Sequence, residues 1–271
     1  MDAAMMETSL SIPLPPAVEN ALQGAQRLMG GVVFFRTVPN MEAAARSQRG
    51  SDSADDRDSD TDFDSSQLGT KEYWENTYEK DLETFKDIGY VGEIWFGKES
   101  MSRVLRWMAD AAVPEEAAIL DIGTGNGAFL VQLAKHGYKN LTGIDYSPAS
   151  VELAKCVLQA EGLTHVKVKE VDFCQGGLEG YDVCVDKGTF DAISLNPADT
   201  SEAKRLYVGA LKDSLKDQGL FSITSCNWTK EQLLERFSEG FEFVQELPTP
   251  TFQFGGKKGN SVTALIFKRV R

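Results

Sequence analysis

The sequence has few cysteines, few histidines and no long apolar run, and each shortage excludes a class of protein. No apolar run reaches the roughly 20 residues of a membrane-spanning helix, so no membrane partner is expected. The cysteines lack Cys-x-x-Cys spacing, which indicates neither a zinc site nor a disulfide framework. We therefore expect no metal, and buried free thiols in a reducing compartment. The residues concerned are Cys156, Cys174, Cys184 and Cys226, with His136 and His165.

Positive charge is also scarce. Acidic residues outnumber Lys and Arg by 41 to 28, which gives a net charge of −13, and much of the excess lies between Ser51 and Asp64. Phosphate contacts need clustered Lys and Arg, and because no such cluster is visible, a nucleic-acid partner is disfavoured. We expect a monomer with a cytoplasmic location, and a nuclear location is left open.

The composition changes near Leu68. From Ser47 to Gln67 the residues are almost all Ser, Asp and Arg. Such a segment cannot bury enough apolar surface to offset the entropy lost on ordering. We therefore predict a disordered N-terminal tail over residues 1–67 and a single folded domain over residues 68–271.

Helices and short apolar strands alternate through the folded part. Two helices are expected first, around Lys71 to Thr84 and around Ser100 to Ala111, with Ser100 as the N-cap. From Ala118 to Phe237 strands and helices then alternate, which indicates β-α-β units on a parallel sheet. The last two strand-like runs, Phe241 to Leu247 and Ser261 to Lys268, have no helix between them. An antiparallel hairpin should therefore end the sheet.

A glycine-rich turn between a buried strand and a helix is the strongest functional signal. Glycine has no Cβ, so backbone amides at the start of the helix can approach a ligand closely. The turn alone does not separate a nicotinamide cofactor from a methyl donor, because dinucleotide enzymes carry G-x-G-x-x-G at this place and this chain carries G-x-G-x-G. The candidate cofactor-binding residues in the turn are Gly123, Thr124, Gly125, Asn126 and Gly127.

Acidic residues at three successive strand ends favour a methyl donor. Asp121 can face the ammonium of an amino-acid ligand but would repel a pyrophosphate. Asp145 is placed to accept hydrogen bonds from ribose hydroxyls, which both cofactor classes present. Asp172 could accept from the adenine amino group while Phe173 or Tyr146 packs on the ring. Capping of a loop is the alternative role for Asp121 and Asp172, and core packing is the alternative for Phe173.

Three segments carry a family resemblance. Asp121 to Gly127, Gly143 to Asp145 and Val171 to Phe173 resemble the successive cofactor motifs of the seven-β-strand class I methyltransferases. The resemblance implies an α/β, Rossmann-like fold with a seven-stranded, mostly parallel sheet, a C-terminal antiparallel hairpin and helices on both faces. It also implies S-adenosyl-L-methionine as the cofactor.

Three further segments narrow the resemblance. Glu93 to Gly97, Asp186 to Asp191 and Thr224 to Thr229 resemble the lysine methyltransferases that modify translation elongation factor 1-alpha, in particular the methyltransferase-like 10 type. The likeness runs from Leu68 to Arg271. It implies a protein-lysine N-methyltransferase whose partner is elongation factor 1-alpha, one lysine of which it brings to the trimethyl state.

The end of the fourth strand bears on the methyl acceptor, because it faces the methyl group in this fold. The Asn-Pro-Pro-Tyr-like stretch of members that methylate amides or bases is absent. A lysine ammonium has a pKa of about 10.4 and must lose a proton before attack. Asp186 and Asp191 are the candidate catalytic residues, expected to bind and position the ammonium, and Asp186 is also a candidate for cofactor binding. An apolar channel would favour the neutral amine.

Aromatic faces suit an acceptor that stays cationic while it gains methyl groups. Trp95, also a candidate for cofactor binding, Phe96, Phe190 and Trp228 are the candidates, and packing in the core is the alternative role, above all for Phe96 and Phe190. Lys187 fits a solvent-exposed or salt-bridging role better than a Schiff base. The residues predicted to bind the substrate are Phe96, Lys187, Gly188, Thr189, Phe190, Asn227 and Trp228.

Three other functions stay open at this point. A different acceptor on the same fold is one, since a fold does not fix its substrate. An NAD-dependent oxidoreductase is the second, and a non-catalytic binding subunit is the third. The three acids at the strand ends argue against the last.

Overall fold

The computed structural model describes most of the chain from Ser66 onward. The predicted tail therefore lies outside the described residues, apart from Ser66 and Gln67. Ser66 caps a short 3-10 helix, Gln67–Gly69, and its amide donates to the carbonyl of Leu195 at 3.0 Å. Ser66 therefore contacts the folded domain, and Gln67 begins the 3-10 helix with an exposed side chain. The described ranges are 66–198, 200–249, 251–254, 257–260 and 262–270.

Seven α-helices and nine strands are formed by the described residues. The helices are α1 (Lys71–Ile88), α2 (Gly97–Asp110), α3 (Ala128–Lys135), α4 (Pro148–Ala160), α5 (Thr189–Ser194), α6 (Thr200–Ser214) and α7 (Lys230–Arg236). The strands are β1 (Ala118–Ile122), β2 (Asn140–Asp145), β3 (Lys167–Glu170), β4 (Tyr181–Lys187), β5 (Leu215–Ser225), β6 (Phe241–Glu246), β7 (Thr251–Phe254), β8 (Lys257–Asn260) and β9 (Thr263–Arg269). A second 3-10 helix spans Phe173–Gln175.

Seven of the strands form one sheet in the order β3-β2-β1-β4-β5-β9-β6. The first five pair in parallel, and β9 runs antiparallel to both β5 and β6. The predicted α/β fold with a mostly parallel sheet and a C-terminal antiparallel hairpin is confirmed. β7 and β8 form a separate two-stranded sheet within the connection between the hairpin strands.

Both faces of the sheet are covered, and the alternation of side chains along each strand divides the core in two. On β1, Ile119 joins one apolar cluster while Leu120 joins the other. On β9, Ile266 and Phe267 divide in the same way. This period of two is the pattern of a strand buried on both faces, and it explains why the strands are apolar along most of their length.

The first two helices differ from their predicted bounds. α1 continues past Thr84 and ends at Gly89, which adopts a left-handed conformation with φ 72°. α2 begins at Gly97, after Phe96 with φ 61°, so Ser100 is not its N-cap but a buried residue in its first turn. No capping side chain marks this start in the sequence, which is why the spacing of apolar residues placed it too late.

The strand order fixes where a ligand can bind. β1 lies between β2 and β4, and their chains leave in opposite directions along the sheet. Such a reversal opens a crevice at the carboxyl ends of the strands, the usual ligand position in open α/β sheets. The register brings Asp121, Gly143 and Val185 side by side at that edge.

Candidate active site

A cleft of about 1030 Å³, counting the part open to solvent, lies at this edge of the sheet. Its floor is the glycine-rich turn and the ends of β2 and β4, and its walls come from helices α1 and α5 and from the segment before α2. The lining residues predicted from sequence are Trp95, Phe96, Gly123, Thr124, Gly125, Asn126, Asp145, Tyr146, Lys187, Gly188, Thr189, Asp191 and Asn227.

The turn is held in place from below. Asp121 is fully buried, and its Oδ2 accepts a 2.7 Å hydrogen bond from Thr124 Oγ1. The amide of Thr124 donates to the carbonyl of Ile144 at 2.8 Å, which ties the turn to β2. The other carboxylate oxygen of Asp121, Oδ1, is buried without a hydrogen-bond partner. Burial raises the pKa of this carboxyl, while nearby Lys187 and the Thr124 hydroxyl lower it.

Asp145 closes the turn on its other side. Its Oδ2 accepts from the amide of Gly125 at 3.0 Å and its Oδ1 from the amide of Ser147 at 3.1 Å. Burial raises the pKa of this carboxyl and the amide hydrogen bonds oppose the rise. Each carboxylate oxygen keeps a further lone pair. Asp145 can therefore hold the turn and still accept from hydroxyl groups of a ligand in the cleft.

A wall contributed by helix α1 was not predicted. Trp74 and Tyr78 line the cleft, stacked with ring centroids 6.0 Å apart. Asn126 joins the turn to the segment after α1, because its Nδ2 donates to the carbonyls of Val91 and Glu93, each at 3.0 Å. Their spacing of four residues on one helix indicates that the two rings share a face. Because the pair lies far from the turn in sequence, this spacing did not connect it with the cleft.

Asp172 and Phe173 lie outside the cleft. The Oδ1 of Asp172 accepts from the amide of Cys174 at 3.2 Å, as a cap of the second 3-10 helix, and its Oδ2 pairs with Lys71 Nζ at 2.6 Å. Phe173 is buried and packs edge-on against Tyr207. The adenine contacts predicted for Asp172 and Phe173 thus give way to capping and core packing. Tyr146 does line the cleft.

Asp191, in the first turn of α5, also lines the cleft. Its Oδ1 accepts from the hydroxyl of Ser225, and its Oδ2 accepts from the amide of Cys226 at 2.8 Å. Burial raises the pKa of the Asp191 carboxyl, and these hydrogen bonds oppose the rise. Asn227 lines the cleft beside it, with a buried Nδ2 that has no hydrogen-bond partner. An unpartnered buried donor is costly, so Asn227 Nδ2 has a hydrogen bond available for a ligand group that accepts.

Asp186 lies behind the wall of the cleft. It is fully buried and accepts from the amides of Thr189 and Phe190, each at 3.0 Å, and from the hydroxyl of Tyr207 at 2.6 Å. Burial raises the pKa of Asp186 to about 7, against the lowering effect of the Tyr207 hydroxyl. Its carboxylate holds the start of α5, a helix that the sequence did not reveal. The predicted catalytic and cofactor contacts give way to a positioning role.

The four predicted aromatic residues separate into two pairs. Trp95 and Phe96 line the cleft. Phe190 and Trp228 are buried in the core, packed on each other with ring centroids 5.2 Å apart. The side chain of Phe190 points away from the cleft because α5 begins at Thr189 and turns it under the helix. Only the first pair is placed to contact an acceptor.

Gly127, the last residue of the turn, and Asp121, which is buried beneath the turn, do not line the cleft. Lining residues that the sequence did not suggest, besides the α1 pair, are Leu68, Glu93, Ile94, Met101, Ala128, Phe129, Ala192, Leu195 and Cys226. Most of them are apolar and carry no chemical signature. Phe129, two residues after the turn, was the most accessible to prediction.

The remaining predictions concern the cysteines, metal sites and membrane spans. All four cysteines are free, but only Cys184 is buried, and Cys226 is exposed. Within the described part of the chain, no group of three or more His, Cys, Asp or Glu is placed to hold a metal ion. No helix in the described ranges is both long and apolar enough to cross a membrane.

The site fits a nucleoside-linked amino acid. The bare backbone of the turn and the Asp145 carboxylate line the cleft and offer contacts for the hydroxyl groups of a sugar. Asp121 Oδ1 lies beneath the turn, 3.9 Å from the ammonium of the lining residue Lys187, and has no hydrogen-bond partner, so it can accept from an ammonium group that binds beside Lys187. Asp191 and Asn227 offer an acidic and an amide group to a second ligand. The cleft therefore fits both a methyl donor and an acceptor.

Comparisons with known proteins agree with this geometry. The family described as "Methyltransferase domain" matches residues 115–265. EEF1A lysine methyltransferase 2 of Danio rerio is 62% identical over 77% of this chain and 90% of its own length, and the Homo sapiens protein of the same name is 53% identical over 84% and 94%. Among solved structures, the N-methyltransferase NodS from Bradyrhizobium japonicum in complex with S-adenosyl-L-homocysteine superposes with a TM-score of 0.55 at 18% identity, covering 73% of this chain and 99% of that one.

The structural likeness to NodS shows the fold alone, since its identity is low. The two vertebrate relatives carry more, because the match covers nearly their whole length at more than half identity. The chain belongs to the EEF1A lysine methyltransferase family.

Proposed function

We propose that this protein methylates one lysine of translation elongation factor 1-alpha and brings it to the trimethyl state. It is a protein-lysine methyltransferase by family, with S-adenosylmethionine as the methyl donor. The names of its relatives support elongation factor 1-alpha as the acceptor protein. The trimethyl end state is supported by the resemblance of the acceptor motifs.

One observation carries the proposal: the lining of the cleft combines two chemically different sets of residues. The first set is the glycine-rich turn with Asp145, and it suits the donor. The second set is Asp191 and the unpartnered amide of Asn227, and the aromatic residues Trp95 and Phe96 line the same cleft. A lysine side chain has an apolar stem and a cationic tip, which matches aromatic walls and a carboxylate in one cleft.

The first set of residues binds and orients the methyl donor. Asp121, the turn and Asp145 would hold S-adenosylmethionine, whose positively charged sulfonium supplies the methyl group. Tyr146 offers a ring face for a planar base. Most of the rate should come from alignment of the two reactants, which can be worth roughly 7–11 kcal/mol.

The second set of residues attracts the ammonium of the substrate lysine. The apolar wall then favours the neutral amine, whose proton is released to solvent before the amine attacks the methyl group. Asp191 is fixed by Ser225 and the amide of Cys226, so its carboxylate is oriented before the substrate arrives. A carboxylate alone would hold the proton on the amine, whereas apolar surroundings lower the pKa of an amine. The wall provided by Ile94 and Phe96 supplies that desolvation. Phe96 also suits the bulkier mono- and dimethylated cations.

Purified protein, purified elongation factor 1-alpha and methyl-labelled S-adenosylmethionine test the proposal directly. We expect label on the factor, and mass spectrometry should show one lysine that gains three methyl groups. Asp191→Asn should lower the rate by at least about tenfold while the affinity for S-adenosylhomocysteine is kept. Asp110→Asn, an exposed carboxylate at the end of α2, is the matched control. Label confined to small molecules or to another protein would refute the proposal.

A further inference from the structure

We propose that Lys187 binds the carboxylate of the methionyl end of the cofactor and that Asp121 and Lys187 together recognise a zwitterion. Asp121 would take the α-ammonium and Lys187 the α-carboxylate. The proposal rests on the assignment of this cleft as the cofactor site. It gives Lys187 a role in cofactor binding, in place of the substrate contact predicted from sequence.

The geometry begins with an incomplete ion pair. Lys187 Nζ lies 3.9 Å from Asp121 Oδ1, with side-chain exposures of 10% and 0%. That distance is too long for a hydrogen bond. Oδ1 has no hydrogen-bond partner, whereas Oδ2 is occupied by Thr124. Two opposite charges therefore face each other across a gap, and each has bonding capacity left.

The ammonium of Lys187 is held inside the cleft. It lies 5.1 Å from the ring centroid of Phe129, within the range of a cation–π contact. Phe129 is buried and also lines the cleft. The lysine stem extends from the last residue of β4, so the position of its charge is set by the sheet rather than by a loop.

Charge complementarity singles out this residue. Among the described residues that line the cleft, Lys187 is the only Lys, Arg or His, and the charged residues besides it are Glu93, Asp145 and Asp191. A carboxylate moved from water into such a cleft needs an opposite charge. A cofactor that ends in an amino acid brings a carboxylate, and among the described lining residues Lys187 is the side chain with the opposite charge.

A zwitterion would complete the pair. The ligand's ammonium can donate to Asp121 Oδ1, and the ligand's carboxylate can accept from the Lys187 ammonium. Two close ion pairs would then replace the single 3.9 Å pair between Lys187 and Asp121. The raised pKa of the buried Asp121 carboxyl agrees with a charge that is not fully compensated in the free protein. A ligand with only one of the two groups would leave the other protein charge without a partner.

Calorimetry with three ligands tests this arrangement. The ligands are S-adenosylhomocysteine, its analogue without the carboxylate (a 3-aminopropyl thioether) and its analogue without the amine (a 3-carboxypropyl thioether). We expect the full-length wild-type protein to bind the first about 10- to 100-fold more tightly than either analogue. In Lys187→Met the preference for the carboxylate should fall to within about threefold, while the preference for the amine persists. Lys187→Arg should keep most of the carboxylate preference.

Controls separate recognition from folding. Lys139→Met removes one exposed positive charge, far from the cleft lining, and should leave both preferences unchanged. Thermal unfolding of each variant checks that it is folded, and the ratio of two affinities is not altered by a general loss of binding. Asp121→Asn should show the converse pattern, with the amine preference lost.

The outcomes can be told apart. A Lys187→Met protein that prefers the carboxylate as strongly as the wild type would overturn the proposal, and so would a wild type that does not distinguish the two ligands. An Asp121→Asn protein with an unchanged amine preference would overturn the pairing of Asp121 with the ammonium. A wild-type protein that binds none of the three ligands would instead show that the cofactor site itself is wrongly assigned.

Discussion

Replacing Tyr207 with phenylalanine removes one hydroxyl that donates a 2.6 Å hydrogen bond to Asp186. Both residues are fully buried, so no water can replace the donor. A hydrogen bond to a charged group contributes about 1.5–3 kcal/mol to stability. We expect the free energy of unfolding to fall by about 2 kcal/mol above neutral pH, which corresponds to a decrease in melting temperature of about 4–8 °C for a domain of this size.

The loss should depend on pH. The pKa of Asp186 is raised to about 7 in the folded protein, above its ordinary value of 3.8. The stability linked to its protonation is therefore fully present below pH 3.8 and is lost as the pH rises through about 7. The Tyr207 hydroxyl favours the ionised form and limits that loss. Tyr207→Phe raises the pKa of Asp186 further, so the difference from the wild type should be larger at pH 8.5 than at pH 5.5.

Urea unfolding followed by circular dichroism at the two pH values measures this difference. Tyr138→Phe is the matched control, because Tyr138 is buried and its hydroxyl forms no hydrogen bond to a carboxylate within the described residues. Equal losses at both pH values would refute the role of Asp186 ionisation. A loss no greater than that of the control would refute the hydrogen bond as a source of stability.

Three further substitutions have defined outcomes. Gly123→Ala would place a Cβ 2.0 Å from Thr189 Oγ1, so it should destabilise the protein by about 1–3 kcal/mol and weaken S-adenosylhomocysteine binding in calorimetry. Gly162→Ala is the control, because Gly162 has a similar φ and nothing within 4 Å of the added Cβ, and equal effects of the two substitutions would contradict the clash. Asn126→Ala frees two carbonyls of the segment before α2 and should raise the Kd of S-adenosylhomocysteine about tenfold; an unchanged Kd would refute a link between that segment and the cleft. Lys71→Met breaks a half-exposed ion pair and should change the free energy of unfolding by less than about 1 kcal/mol in urea titrations, and a larger loss would show that the pair is shielded from solvent.

The sheet was predictable from sequence because each strand has a recognisable local pattern of apolar residues. Apolar runs of strand length separated by helical spacing gave the parallel units, and the missing helix between β6 and β9 gave the hairpin. The insertion of β9 between β5 and β6 was not visible from the pattern of residues. Pairing between distant strands depends on the whole topology, which local composition does not encode.

The floor of the cleft was predictable for a similar reason. Asp121 and Asp145 follow buried strands directly, and parallel strands end at the same edge of a sheet. The walls were harder, since Trp74 and Tyr78 come from a helix more than 40 residues earlier. Their i, i+4 spacing places both rings on one face of the helix, but it does not show that this face lines a cleft rather than the core.

The acceptor segment shows how a short helix can mislead. Gly188 adopts φ 96° and is the N-cap of α5, where the chain changes from a strand to a helix. The side chains on either side of Gly188 therefore point in different directions relative to the cleft. Asp191 faces the cleft, whereas Asp186 and Phe190 face the interior. A six-residue helix has too few turns to show a period. The spacing of the motif therefore identified the segment but not the orientation of its side chains.

The position of β9 between β5 and β6 has a consequence for biosynthesis. The ribosome makes β5 and β6 before Thr263–Arg269, so until β9 emerges the nascent chain carries an unpaired edge on β5 and a strand β6 without a partner in the sheet. Open edges of this kind favour pairing with other chains. A nonsense mutation between Glu246 and Thr263 would leave the edge of β5 and the whole of β6 unpaired permanently. Such a product should be an insoluble target for cellular quality control, even though every residue of the cleft would be present.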